Sequence, residues 1–423
     1  MFHRDVPPFP RARSRRAAVL AGILCPVLAG PAAADSLRAL TLEEALALAL
    51  QRNPSLQAQA QSVVSSQAGQ VTAGLRPNPQ FQNDTTSATV GLYQEIEIGG
   101  KRSARLESAS SATAISQTDL ADARRLLVRD VRQAFIGALL AKANVALARE
   151  NLSSFRDVVE VHRIRLEQGA LSGADFLKIE LQRLQYETDF RDAAAALETA
   201  KAALRELVGR NLPEEFEVEG ELRATLSDKS LEELRQLALT NRPDLRSAQT
   251  GVQKAAADAR LAKANSYPDP TIGASFLHTG NEIGGPSWFQ PFYPKGETSN
   301  AMGLGVSFPI PLFNRNQGEI ARARSEERRA EFLAEAARDR ILQEVESAYA
   351  AFESSASRVR LYEETYLSLA KQARDSAEFA FRKGATSILD FLDAERTYRA
   401  TQLSYRQELA SYQSSLAHLE AAA

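Results

Sequence analysis

Cysteine is nearly missing from this chain, and histidine and tryptophan are scarce. The 423 residues include one Cys, one Trp, two Met and four His. Cys25 lies inside a segment that reads as an export signal, so the mature chain is expected to carry no disulfide and no thiol chemistry. Neither charge dominates, with 51 Lys and Arg against 53 Asp and Glu. The basic residues are dispersed, which argues against a nucleic-acid partner. After the N-terminus no stretch reads as the ~20 apolar residues of a transmembrane helix. Glycine and proline are confined to a few clusters. Between them run long stretches rich in Ala, Leu, Gln, Glu and Arg, the texture of very long helices or coiled coils.

The first 34 residues have the layout of a signal peptide. Arg11, Arg13, Arg15 and Arg16 make a basic start, Ala17 to Ala29 an apolar middle, and Ala32-Ala33-Ala34 a cleavage site before Asp35. Pro26 and Pro31 break the apolar run and argue against a membrane span. Leu24 precedes Cys25 where lipidation needs a small residue. The remainder, 35–423, reads as one domain made of two repeats.

The repeat is explicit. "LEEALALALQRNPSL" (Leu42 to Leu56) returns as "LEELRQLALTNRPDL" (Leu231 to Leu245). Each copy continues into an Ala/Gln-rich helical run and stops at Pro77-Asn78-Pro79 or Pro268-Asp269-Pro270. A segment of strand periodicity follows. In the first copy Val90, Leu92, Gln94, Ile96 and Ile98 alternate with Gly91, Tyr93, Glu95 and Glu97. In the second, Met302, Leu304, Val306, Phe308 and Ile310 alternate with small residues. Hairpins are expected at about 79–99 and 269–311. Helix then resumes for 103–167 and 319–382, ending at Gly169 and Gly384, and returns after Asp175 and Asp390. The repeats span about 41–207 and 230–423, with an acidic linker at about 208–229. Two hairpins cannot close a barrel alone, and open edges are forbidden in lipid. Three chains giving four strands each would close twelve.

The repeat and its motifs resemble the TolC-type outer-membrane efflux protein family over essentially the whole mature chain. The residues that carry the likeness are "TLEEALALALQRNPSL", "LRPNPQF", "QEIEIGGKR", "NRPDL", "SYPDPTIGAS", "FPIPLFNRNQGEIARA" and "DFLDAERTY". "QEIEIGGKRS" is most similar to the CzcC-like heavy-metal branch. The resemblance implies a mainly α chain: long helical hairpins form a periplasmic tunnel, and four strands per protomer enter a trimeric twelve-stranded outer-membrane barrel. It also implies a homotrimer in outer-membrane lipid, a periplasmic adaptor, and an inner-membrane pump of the resistance-nodulation-division type. The expected role is passive export of solutes, heavy-metal cations first. Multidrug efflux or type I protein secretion on the same architecture is one alternative, and a soluble periplasmic coiled-coil scaffold is another.

No enzyme is legible. His162, His278 and His418 are scattered, with no HExxH and no G-x-S-x-G. "GGKRS" lacks the Ser or Thr and the first glycine of a phosphate loop. Glu95 and Glu97 share a polar strand face and read as pore wall rather than a metal site. No cofactor is expected. The glycine turns, Gly169, Ala170, Leu171 and Ser172 with Gly384, Ala385, Thr386 and Ser387, are expected to meet the adaptor. Asp390 and Asp393, spaced to share a helix face, are assigned with Asp175 to a pore constriction, because the family motif places paired aspartates there. The family's Tyr and Arg latch positions hold Phe381 and Thr386, so closure is expected to rest on packing by Phe381, Ile388 and Leu389.

Overall fold

In the computed structural model the described residues are 38–84, 89–209, 212, 215–224, 230–279 and 299–423. The expected signal peptide and most of the second hairpin's tip, residues 280–298, lie outside them. Arg38–Ala423 form one compact unit. Its first half runs β1 (Arg38–Leu40), α1 (Leu42–Arg52), α2 (Pro54–Ala73), β2 (Gln80–Asp84), β3 (Thr89–Glu95), α3 (Lys101–Glu167) and α4 (Gly173–Val208). The second runs β4 (Phe216–Val218), α5 (Leu231–Asn241), α6 (Pro243–Ala264), β5 (Thr271–Thr279), β6 (Ser299–Ser307), α7 (Gln317–Leu361), α8 (Leu367–Arg382) and α9 (Ile388–Ala422).

Local chemistry accounts for the repeated starts. Thr41 with Glu44, and Ser230 with Glu233, form reciprocal capping boxes at the heads of α1 and α5. Pro54 and Pro243 occupy the first positions of α2 and α6, where a missing N–H costs nothing. The residue before each proline then reaches the matching place in its own repeat. Asn53 donates from Nδ2 to the Leu207 carbonyl at 2.9 Å, at the end of α4. Arg242 donates to the Ala422 carbonyl at 3.1 Å, at the end of α9. The two repeats are thus closed by the same contact with different side chains.

The strands β2, β3, β5 and β6 join into one antiparallel sheet, in that order. One face carries Phe81, Val90, Leu92, Ile272, Phe276, Met302, Leu304 and Val306, all 41–89% exposed. The other carries Gly91, Tyr93, Gly273, Ser275, Gly303 and Gly305. Tyr93 lies flat across the sheet: a Cβ at Gly273 would sit 2.3 Å from its ring. β5 and β6, of nine residues each, have the length of a tilted membrane strand.

The sheet meets the helices at the glycine-lysine joint. Gly99 and Gly100 take left-handed backbone, φ 72° and 78°. Lys101 Nζ lies 2.5 Å from Asp269 Oδ2 and donates to the Tyr267 carbonyl at 2.7 Å. Arg102 and Arg105 donate to the carbonyls of Ala73, Gly74 and Leu75, where α2 ends. Cations there satisfy carbonyls that have no helical partner. Glu97, just beyond β3, is paired with Arg105 and braces this joint.

Four features depart from the sequence reading. The linker 208–229 is not bare, since β4 pairs in parallel with β1, and Leu212, Phe216 and Val218 enter the core of the first half. The helix expected over 319–382 is interrupted by a π-helical turn, Tyr362–Tyr366. One 18-residue window of α3 is as apolar as a minimal membrane span. Its helix buries Phe135, Ile136, Ala138, Leu139 and Ala141, and packs on α1, α2, α4, α6 and α9, so apolar surface is spread around it. Finally, Leu389 is 58% exposed and joins no hydrophobic core among the described residues, unlike Phe381 and Ile388.

Candidate functional site

The site lies at the far end of the helices from the sheet. α3 begins six residues after β3 and has 67 residues, which places its end about 100 Å from the sheet at 1.5 Å per residue. Both long arms stop there in the same way. Gly169 and Gly384 adopt left-handed φ of 72° and 73°. Ala170 N–H returns to Arg165 O at 2.8 Å and Gly169 N–H to Leu166 O at 3.0 Å. Ala385 N–H and Gly384 N–H make the same pair of bonds to Ala380 O and Phe381 O, at 2.9 and 3.0 Å. These are Schellman turns, which need a residue free of a Cβ penalty at the glycine position.

Serine then restarts each helix. Ser172 Oγ accepts from Asp175 N–H at 3.1 Å, and Ser387 Oγ from Asp390 N–H at 3.3 Å. The Asp390 carboxylate replies by accepting from Ser387 N–H at 3.0 Å and from its hydroxyl at 2.9 Å. Asp175 accepts from the Ser172 hydroxyl at 2.8 Å and from Lys178 at 2.9 Å. Lys178, followed by Ser172, holds its carboxyl below the usual carboxylate range. Asp390 therefore serves first as a cap. Asp393 is exposed and has no hydrogen-bond or ion-pair partner among the described residues. Its neighbours Phe391 and Leu392 are buried, at 2% and 4% exposure.

The two turns are brought to one end by a shared core. Leu152, Phe155 and Val159 of α3 and Ile179 and Tyr186 of α4 pack against Ile388, Phe391 and Leu392 of α9, with Leu171 partly buried beside them. Gly169, Ala170, Ser172, Gly384, Ala385, Thr386 and Ser387 stand exposed around it. Behind this core, Arg396 donates to Gln182 at 3.0 and 2.9 Å. Arg399 pairs with Asp189 and lies 4.9 Å above the Tyr186 ring. Burial pushes the Tyr186 phenol up to about 12. Burial likewise raises Glu395, against the attraction of Arg374. None of these second-row groups, nor the buried His162, belonged to the expected site; only their distant partners give them meaning.

Among the described residues no group of three or more His, Cys, Asp or Glu is placed to hold a metal ion. The arrangement offers exposed small residues, two capped carboxylates and a free one. It can repel, admit or be contacted.

The sequence matches the Outer membrane efflux protein family over residues 45–210 and 234–423. It is 29% identical over 379 residues to the cobalt-zinc-cadmium resistance protein CzcC of Cupriavidus metallidurans, covering 86% of this chain and 85% of that one. It is 26% identical over 344 residues to the pyoverdine export outer membrane protein OpmQ of Pseudomonas aeruginosa, covering 79% and 69%. The fold superposes on the crystal structure of CusC with a TM-score of 0.75 at 19% identity, over 90% of this chain and 91% of the other.

Proposed function

Because this chain belongs to the outer membrane efflux protein family, and is an outer-membrane efflux channel with a helical tunnel in the periplasm, we propose that it is the exit duct for heavy-metal cations. The observation that carries the cargo is the likeness to CzcC along nearly the full length of both chains. The duct acts without catalysis of its own, as one component of a tripartite system.

Three copies assemble around one axis. The outer edges of β2 and β6 are the two free ladders of the sheet among the described residues, and pairing β6 of one copy with β2 of the next closes twelve strands with no edge left in lipid. The glycine turns then form a ring at the periplasmic end. That ring receives a periplasmic adaptor, which links the channel to an inner-membrane pump of the resistance-nodulation-division type. Asp390, Asp393 and Asp175 recur three times each around the narrow end and constrict it. Of these, Asp393 is the one with no partner among the described residues, since Asp175 is paired with Lys178 and Asp390 is hydrogen-bonded to Ser387 at the head of α9.

Deletion of the gene, followed by growth on cobalt, zinc and cadmium salts, tests the cargo. Hypersensitivity restored by the intact gene is expected. Unchanged metal tolerance with loss of pyoverdine export overturns it in favour of a role like that in the name of OpmQ, the second reading.

A further inference from the structure

The narrow end contains a buried imidazole that a passive conduit does not require. His162, in the last two turns of α3, is 6% exposed. Its Nδ1 lies 2.7 Å from the Val158 carbonyl, so Nδ1 holds the proton and donates. Nε2 is buried with no partner among the described residues. The ring stacks on Phe381 of α8, with centroids 5.3 Å apart and planes 16° apart. Phe381 stacks in turn on Phe391 of α9, at 5.6 Å and 6°. One column of three rings therefore fastens α3 to the α8–α9 hairpin, and Phe391 stands between Asp390 and Asp393.

The surroundings are prepared for a neutral ring only. Arg165 on its own helix and Arg382 on α8 are the charges that act on it, and both disfavour an imidazolium. Arg382 is already paired with Glu378. From α9 the facing group is the apolar Phe391, while the Asp390 carboxylate is held by Ser387. On α4, Asp175 is held by Ser172 and Lys178. Burial first, and then the two arginines, keep the His162 pKa below the usual histidine range, against the opposing pull of the Val158 carbonyl.

We propose that the His162–Phe381–Phe391 column is an acid-released clasp, which holds the α8–α9 hairpin against α3 while His162 is neutral and lets the tunnel end open when His162 gains a proton. The opening half of this inference rests on the reading of this end as the constriction. The proton adds to Nε2, where no acceptor waits and two guanidinium groups repel it. The direction follows from linkage. A base depressed in the packed state leaves that state fully stable above its ordinary value, near 6.5, and weakens it as pH falls below.

The test uses the full-length protein in nanodiscs and in planar bilayers, with His162→Phe as a ring that stacks without titrating. Between pH 7.5 and 5.5, amide exchange in 158–166 and 378–384, corrected for its intrinsic pH dependence, is expected to quicken about threefold in the wild type and stay level in the variant. Mean single-channel conductance is expected to rise about twofold in the wild type alone. Phe381→Ala at pH 7.5 should match the acid wild type. Level exchange in the wild type, or an equal acid response in His162→Phe, overturns the clasp. Should His162→Phe fail to assemble, His162→Gln takes its place on the same criteria. An exchange response that depends on His162, with conductance unchanged, supports the clasp and overturns the constriction reading.

Discussion

At the scale of single residues, Ser387, Asp390 and Asp393 divide two tasks that look alike in sequence. Asp390 and Ser387 exchange hydrogen bonds in a capping box, so Ser387→Ala is expected to lower stability by about 1 kcal/mol. It should leave ion selectivity alone. Asp393 makes no such bond, so Asp393→Asn should change stability by less than about 0.5 kcal/mol while reducing cation selectivity and block by trivalent cations. Denaturant unfolding and bilayer recordings of the same two variants separate the roles; a selectivity change in Ser387→Ala alone would reverse the assignment. Arg242 is a sharper case. Its side chain is 3% exposed and lies 2.7 Å from Asp244 and 2.8 Å from Glu344, so Arg242→Ala leaves both carboxylates only the more distant Arg340, at 3.5 and 3.7 Å, and is expected to cost about 1–3 kcal/mol. Burial raises the Asp244 carboxyl, and Arg242, with help from Arg125 and the Leu245 N–H, more than offsets that, leaving it below its ordinary value. The linkage sign makes this contribution complete above pH ~4 and lost as pH falls further. The gap in thermal midpoint between wild type and Arg242→Ala should therefore narrow in acid. The i, i+3 aspartates were legible in the sequence because they are local. The stacking of His162 on Phe381 was not, because nothing in either segment names the other.

At the scale of elements, the legible features were those written in short-range code. Gly169 and Gly384 announced the turns, because left-handed backbone after a helix favours glycine. Alternation announced β3 and β6, and "LEE" after Thr41 and Ser230 announced α1 and α5. β1 and β4 escaped, since three residues each have no period to read and their pairing spans the whole first repeat. The π-helical turn also escaped: "YEETY" is an ordinary helical stretch by composition, and the extra residue is fixed by tertiary contacts, among them the bond from Tyr405 to Glu363 at 2.8 Å. The turns support a prediction at this scale. A Cβ at Gly384 would touch nothing, so Gly384→Ala isolates the cost of left-handed backbone, about 1 kcal/mol of local stability. Ala385→Glu keeps the exposed Schellman turn and adds a bulky charge. It should abolish adaptor crosslinking in cells while trimers still form, and normal crosslinking would remove the turns from the adaptor interface.

At the scale of the whole molecule, the sheet's two faces decide where the chain can live. The face with Met302, Leu304 and Val306 is apolar and nearly bare of protein contact, at 88%, 89% and 65% exposure. The opposite face of β6 presents Ala301, Gly303 and Gly305. A helical tunnel anchored by four strands has use for that difference only if the first face meets lipid and the second meets water. Leu304→Arg puts a guanidinium near the middle of a nine-residue strand, where a lipid-facing charge costs roughly 2–4 kcal/mol per copy. Threefold assembly repeats the cost at three positions of one barrel, so heat-modifiable trimers and outer-membrane recovery should both collapse. Ala301→Arg, three residues away and on the other face, adds the same charge to a water-filled bore and should leave assembly intact. Equal loss of trimer from both variants would mean that the sheet is not the wall of a barrel, and the edge-to-edge closure of β6 on β2 would fall with it.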